Sequence, residues 1–513
     1  MEAQNAVPRG DRNVASMKYN KLTNHVQQFK KRSKTMRNSN SVPRFLLKGM
    51  MGLVTLFLVA GLAFGQDFTN TGTFSNRGAT LTVKGVFTNS GSGTVDNNAA
   101  GRINIDSTFA QNASASSFVT DSGLVAFRAV TAQTITGSVK NTQYGAIIIS
   151  GSATKSLGSR LAVKDTVQLG SGSTLAVNGK QLSVLGASAF TGVGTLSASG
   201  STDTVNYAGD IAQSIYAATY GNLVTSGASA ARTKTAIGNI VVTGSLTNGA
   251  NHTLDFGTYS FNGTGATFNN SATLQSAGAV TLTSGASING TFVFNAATGT
   301  QSIPDASFAN LTFSGGSGAT GQKNLSSGTT SVSGTYSVAD ANRNYGTGTF
   351  QYNGTNQSVI AESYNNLTLT GTGLGDVKTA AGNLTVGAAF SNVLGTANMS
   401  TYTLSITGAK TNTGKMQFAG ATNGLVFTDG TVEYNGTTTD AAQQSIALGT
   451  YASLLFSNNS PKQITGGQVR TTSGLSISSG VTANVLNTGI LQVDGSLSNA
   501  GTVNNSGTIQ VGQ

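Results

Sequence analysis

The chain has 513 residues, including 67 Gly, 4 Pro and neither Cys nor Trp, and only 9% of it is charged, against roughly 25% in an ordinary globular protein. The absence of Cys excludes a disulfide scaffold, a thiolate metal site and a cysteine nucleophile. The formal net charge of +11 is not a nucleic-acid signature, because residues 1–50 hold 11 Lys and Arg against Glu2 and Asp11, which leaves the other 463 residues close to neutral.

Residues 1–65 read as an export leader. Basic residues run to Arg44 and Lys48, and the 17 residues from Gly49 to Gly65 are uncharged, centred on Leu53 to Ala60. Ala63-Phe64-Gly65 then places small residues at the −3 and −1 positions of a cleavage site before Gln66. The basic region is unusually long, and Met36 is an alternative start for a leader of ordinary length. The competing reading is a retained membrane anchor, for which the uncharged stretch sits at the lower length limit. With cleavage, the mature chain is expected to contain no membrane span.

From residue 66 onward, short apolar alternations are separated by Gly, Ser, Asn and Thr. Phe292-Val293-Phe294, Leu367-Thr368-Leu369-Thr370 and Tyr402-Thr403-Leu404-Ser405-Ile406 each place alternate apolar residues on one face, which is strand periodicity. Asn262-Gly263, Asn289-Gly290, Asn353-Gly354 and Asn435-Gly436 punctuate the chain too often for helices. Low net charge and regularly placed Phe, Tyr, Leu, Ile and Val argue against disorder.

Residues 66–125 open this text with a short repeat, Phe68-Thr69-Asn70-Thr71-Gly72-Thr73-Phe74-Ser75-Asn76-Arg77-Gly78. Residues 126–480 form a second segment of five degenerate units. Their Gln residues stand at 133, 213, 301, 357 and 444, each opening a Gln-Ser/Thr-Ile/Val triplet. In the last four units an aromatic follows seven residues after the Gln, giving Tyr220, Phe308, Tyr364 and Tyr451; in the first, Tyr144 follows after eleven. Lys155, Lys234, Lys378 and Lys462 recur after this motif. Residues 481–513 return to the short repeat as Leu497-Ser498-Asn499-Ala500-Gly501-Thr502-Val503-Asn504-Asn505-Ser506-Gly507-Thr508-Ile509.

The Gln spacings of 80, 88, 56 and 87 favour a solenoid over independent domains. A stacked repeat loses a turn or two without disturbing the others, because each turn contacts only its neighbours. In the six-residue repeats the apolar residue fills the inside and Gly permits the bend. Asn sits in the left-handed region or forms ladders between turns. The expected fold is all-β, a parallel β-helix of degenerate repeats following a signal peptide.

In style, residues 66–513 resemble the secreted β-helix repeat proteins of Gram-negative bacteria, such as filamentous-haemagglutinin-like adhesins and autotransporter passengers. The resemblance implies a right-handed parallel β-helix at the cell surface. The family's C-terminal membrane β-barrel or sorting domain is not recognisable in this sequence.

Chemistry-bearing residues are few. His252, the only His after the leader, is expected to be an exposed turn residue. The only Glu residues after the leader are Glu362 and Glu433. Asp203, Asp210, Asp340 and Asp440 stand singly near repeat starts and read as solvated turn residues. No triad and no phosphate loop is present, so no catalytic residue, metal site or cofactor is assigned and the chain is expected not to be an enzyme. Tyr220, Phe308, Tyr364 and Tyr451 form a candidate ligand row for carbohydrate. The packing reading is stronger, since Phe at 308 lacks the hydroxyl. The recurring Lys residues are expected at the surface.

The function expected is that of an exported structural or adhesive surface protein, located outside the cell. Its partners would be cell-surface or extracellular glycans or proteins, or other copies of itself through the solenoid ends. The alternative is a carbohydrate-binding or carbohydrate-active β-helix. An ice-binding face would need regular Thr-x-Thr arrays, which occur here only sporadically.

Overall fold

The computed structural model describes residues 62–512 apart from short stretches at 92, 99–100, 112–116, 120–122, 137–142, 228–229, 317–320, 340–342, 421–423 and 438–442. The leader up to residue 61 lies outside the described residues, and Leu62–Phe64 forms a strand paired in parallel with the segment starting at Leu81.

Every described residue in regular structure is in a β-strand or bridge, with no helix among them, and every strand pairing is parallel. The pairings are all of one kind: a residue pairs with one a turn further along the chain. The separation ranges from 16, between Met416 and Val432, to 25, between Leu311 and Tyr336. The chain is therefore a parallel β-solenoid, as the sequence predicts.

The strands are short because the Gly- and Asn-rich corners come quickly. Inside, residues of like kind stack. Leu81, Ile103, Val125, Ile147, Val167 and Phe190 lie in one in-register column, and Val83, Ile105, Phe127, Ile149 and Leu169 in the next. All of these are buried. Phe68, Phe87 and Phe109 stack in the first turns with ring centroids 5.1 and 5.6 Å apart. Removing such a buried side chain costs about 2–5 kcal/mol, and here it also removes the support of the turn above.

Both expected roles of Asn occur. Asn178, Asn251 and Asn458 adopt positive φ of 55°, 66° and 57°. Buried amide ladders join Asn70 to Asn89, Asn76 to Asn97, Asn248 to Asn270 and Asn392 to Asn412 at 2.7–2.9 Å. In each, the Nδ2 of one turn donates to the Oδ1 of the next.

Candidate functional site

The repeat motif builds one polar cluster five times inside the solenoid. Each recurring Gln is buried at the start of its strand. Its amide nitrogen reaches down to the carbonyls of the turn below. In Gln213 it donates to Val184 O at 3.0 Å and Gly186 O at 2.9 Å. Gln301, Gln357 and Gln444 repeat this with Ser276 and Gly278, Val332 and Gly334, and Phe418 and Gly420. The amide oxygen accepts a backbone N–H at the same corner, from Gly209, Ala296, Gly354 or Gly436.

One turn above each Gln lies a Lys. The registers are Gln133 with Lys155, Gln213 with Lys234, Gln301 with Lys323, Gln357 with Lys378 and Gln444 with Lys462. This corrects the expectation of surface lysines: Lys155, Lys234, Lys378 and Lys462 are at most 1% exposed. Lys323, which the sequence reading passed over, completes the set. A charge can be buried only if its donors are satisfied. Lys155 Nζ donates to Ala129 O and Ala153 O, and Lys323 Nζ to Ala296 O and Gly321 O. Lys378 Nζ donates to Gly354 O and Thr355 O, and Lys462 Nζ to Gly436 O and Ser460 O. Lys234 Nζ bonds Gly209 O, Ile211 O and Gln213 Oε1. Burial lowers the Lys234 amine to about 8, with Asp210 opposing and Arg232 adding to the shift. Lys155 and Lys378 are lowered in the same direction by the same cause.

The aromatic slot lies where the strand turns a corner, and the register shifts directly after Tyr220, Tyr364 and Tyr451. Tyr220, Phe308, Tyr364 and Tyr451 are 0–2% exposed, so they offer no ring face to an outside ligand. Each Tyr hydroxyl is spent internally. Tyr207 and Tyr220, Tyr352 and Tyr364, and Tyr434 and Tyr451 pair through their hydroxyls at 2.9 Å. The later Tyr donates to a backbone carbonyl, of Tyr216, Ile360 or Ala447. The earlier Tyr accepts the N–H of that same residue. Burial drives the phenols of Tyr207, Tyr220, Tyr352, Tyr364 and Tyr451 up from their usual value. In the unit that opens at Gln301 the residue at that position is Pro304, which has no N–H. There both tyrosines are replaced, by Phe294 and Phe308, whose rings meet edge-on at 6.0 Å.

The titratable residues singled out in the sequence are dispersed. His252 is 2% exposed, which corrects the expectation of an exposed turn residue. It begins the strand His252–Asp255, and its Nδ1 is buried without a hydrogen-bond partner. Burial and then the nearby Lys234 charge lower its pKa. Asp203 is also buried rather than solvated, accepting the N–H of Gly179 and of Gly200 at 2.5 and 2.9 Å. Asp210 is exposed, as expected for a turn. Asp340 and Asp440 lie outside the described residues. Glu362 pairs with Arg343. Glu433 accepts from Ser457, Gln417 and Lys415; burial opposes its ionisation, but these bonds hold it below the usual carboxylate range. Among the described residues no three His, Asp or Glu side chains gather as metal ligands would.

Open surface grooves occur among the described residues. One, of about 420 Å³, runs past Tyr216 between Gly194–Ser199 and Ala217–Thr219. Another, of about 490 Å³, is lined by Asn356, Gln357, Ser358, Gly375, Val377 and Thr379. Compared with known protein families, curated proteins and solved structures, the chain matches none.

Proposed function

We propose that this chain is an exported surface protein with a structural or adhesive role and no chemistry of its own. The observation that carries this reading is the direction in which the recurring residues point. The Gln and Lys of the five units, and the Tyr of the units that have one, are turned inward, where they bond mainly to backbone groups. The repeats thus encode a stapled tube rather than a series of sites. Outward positions include short hydroxyl side chains, as in Thr69 over Thr88 and Thr385 over Ser405. A surface of that kind makes many weak polar contacts, which add up through multivalency.

Location is tested by fractionating cells and treating them with external protease. Recovery of intact protein in the cytoplasm, untouched by protease, refutes export. A deletion strain should attach or aggregate less; unchanged attachment refutes the adhesive role. The carbohydrate-binding reading is favoured by one feature, the groove beside Tyr216, whose walls carry Thr195, Ser197, Ser199 and Thr219. Glycan binding abolished by Tyr216→Ala, with melting unchanged, would select it.

A further inference from the structure

Tyr216 directly follows the strand Gln213–Ile215, at the corner where its backbone N–H and carbonyl serve the hydroxyls of Tyr207 and Tyr220. The units opened by Gln301, Gln357 and Gln444 hold Pro304, Ile360 and Ala447 at this place. Ile360 and Ala447 serve their own tyrosine pairs with the same backbone groups. The coil therefore needs no ring there. The ring of Tyr216 packs against Phe190 at a centroid distance of 5.4 Å, and its hydroxyl donates to Gly194 O, one turn below, at 2.8 Å. It is thus anchored beside the groove that runs past Thr195, Ser197 and Thr219.

Two further turns continue this corner. Ile237 follows Ala236, which is in register with Ile215; its N–H donates to Ile215 O and its side chain is exposed. One turn on, Asp255 pairs with Thr235, so Gly257 takes the place above Ile237. Gly257 offers no side chain, but Tyr259 folds back over it. The Tyr259 ring carbon Cδ2 lies 3.9 Å from where a Gly257 Cβ would stand, and the residue is 40% exposed. The rings of Tyr216 and Tyr259 are therefore two turns apart, about 9.6 Å at the ordinary strand spacing, with Ile237 between them. Hydroxyls flank this ridge on both sides, Ser214 and Thr235 along one face and Thr195, Ser197 and Thr219 along the other. Across residues 190–199, 214–219, 235–241 and 255–262 the one charged residue is Asp255, whose Oδ1 accepts the Gly257 N–H at 2.8 Å.

We infer that this corner binds an extended, uncharged β-1,4-linked glycan lying along the solenoid axis. Such a chain turns successive sugars over and repeats every two, a length close to two turns of this coil. Sugars two apart stack their apolar C–H faces on Tyr216 and Tyr259, and the sugar between them lies against Ile237. The sugar hydroxyls meet the flanking Ser and Thr side chains. Aromatic bodies with a few placed polar groups suit a ligand that is apolar on its faces and polar at its edges. Three side chains in a row fall far short of the roughly 800 Å² that each partner of a stable protein interface buries, and an anionic polymer finds no cation on this ridge. The inference rests on the carbohydrate-binding reading of the groove beside Tyr216 and names its ligand.

Isothermal titration of the full chain with cellohexaose and chitohexaose, and with maltohexaose as the α-1,4-linked control, tests it. The first two separate a plain glucan from an N-acetylated chain as the source of the shared backbone. Wild-type chain should bind at least one of them about tenfold more tightly than the matching disaccharide, because only the longer sugar reaches both rings. Tyr259→Ala removes an exposed side chain outside the groove. It should weaken that binding about tenfold with the melting temperature unchanged, and Tyr259→Phe should keep wild-type affinity. Binding that ignores Tyr259→Ala, or that maltohexaose matches, overturns the inference while leaving the groove a carbohydrate site of another kind. No binding of any of the three six-sugar chains overturns both the inference and the carbohydrate reading beneath it.

Discussion

Replacing Tyr364 by Phe keeps the ring in the core and removes only the hydroxyl bridge. That hydroxyl donates to Ile360 O at 2.9 Å and meets the Tyr352 hydroxyl at 2.9 Å, which itself accepts Ile360 N–H at 3.2 Å. The substitution orphans a buried carbonyl and leaves the Tyr352 proton without an acceptor. Two lost bonds at about 1 kcal/mol each, with the desolvation of a buried orphan, give about 2–3 kcal/mol. Tyr364→Ala also empties a ring-sized space and should cost about 5 kcal/mol. The copy with Phe294, Pro304 and Phe308 shows how the bridge is dispensed with: the backbone donor goes together with both hydroxyls. Adding Ile360→Pro to the Tyr352→Phe, Tyr364→Phe double variant should therefore recover about 1 kcal/mol. The same Ile360→Pro change in the wild type should be destabilising. Urea unfolding with hydrogen exchange over residues 350–370 is the right assay, because turns of a solenoid open locally. The reasoning is refuted if Tyr364→Phe stays within about 0.5 kcal/mol of wild type with the Ile360 amide equally protected. It is also refuted if Ile360→Pro harms the double variant as much as the wild type.

Three further outcomes follow from particular residues. The buried Lys234 amine is lowered from 10.5 to about 8; the unfolded chain binds more protons between these values, so this group makes stability rise with pH from about 8 to 10.5, and in Lys234→Met, followed by thermal melts across that range, the local rise should vanish. A Cβ at Gly186 would lie 1.6 Å from Asp165 O, whereas one at Gly72 meets nothing within 4 Å; Gly186→Ala should cost more than about 2 kcal/mol in urea unfolding and Gly72→Ala well under 1. Exported protein should begin at Gln66, so mass spectrometry that finds an intact peptide spanning residues 50–75 refutes cleavage at Gly65.

The sequence by itself determined the fold class. Alternation such as Phe292-Val293-Phe294 with Gly and Asn corners permits strands and denies helices, and this local preference needs no partner to be read. The repeated Gln, Tyr and Asn also announced themselves. What the sequence did not decide was which way several side chains point. Lys155, Lys234, Lys378 and Lys462 look like surface charges, because an isolated ammonium is costly to bury. Only stacking brings each over a Gln and over corner carbonyls that satisfy it. A signal was present: Lys234 follows Gln213 by 21 residues and Lys323 follows Gln301 by 22, one turn of the coil, but the turn length becomes a ruler only once the register is known. His252 and Asp203 were misplaced for the same reason, since their burial comes from turns distant in sequence.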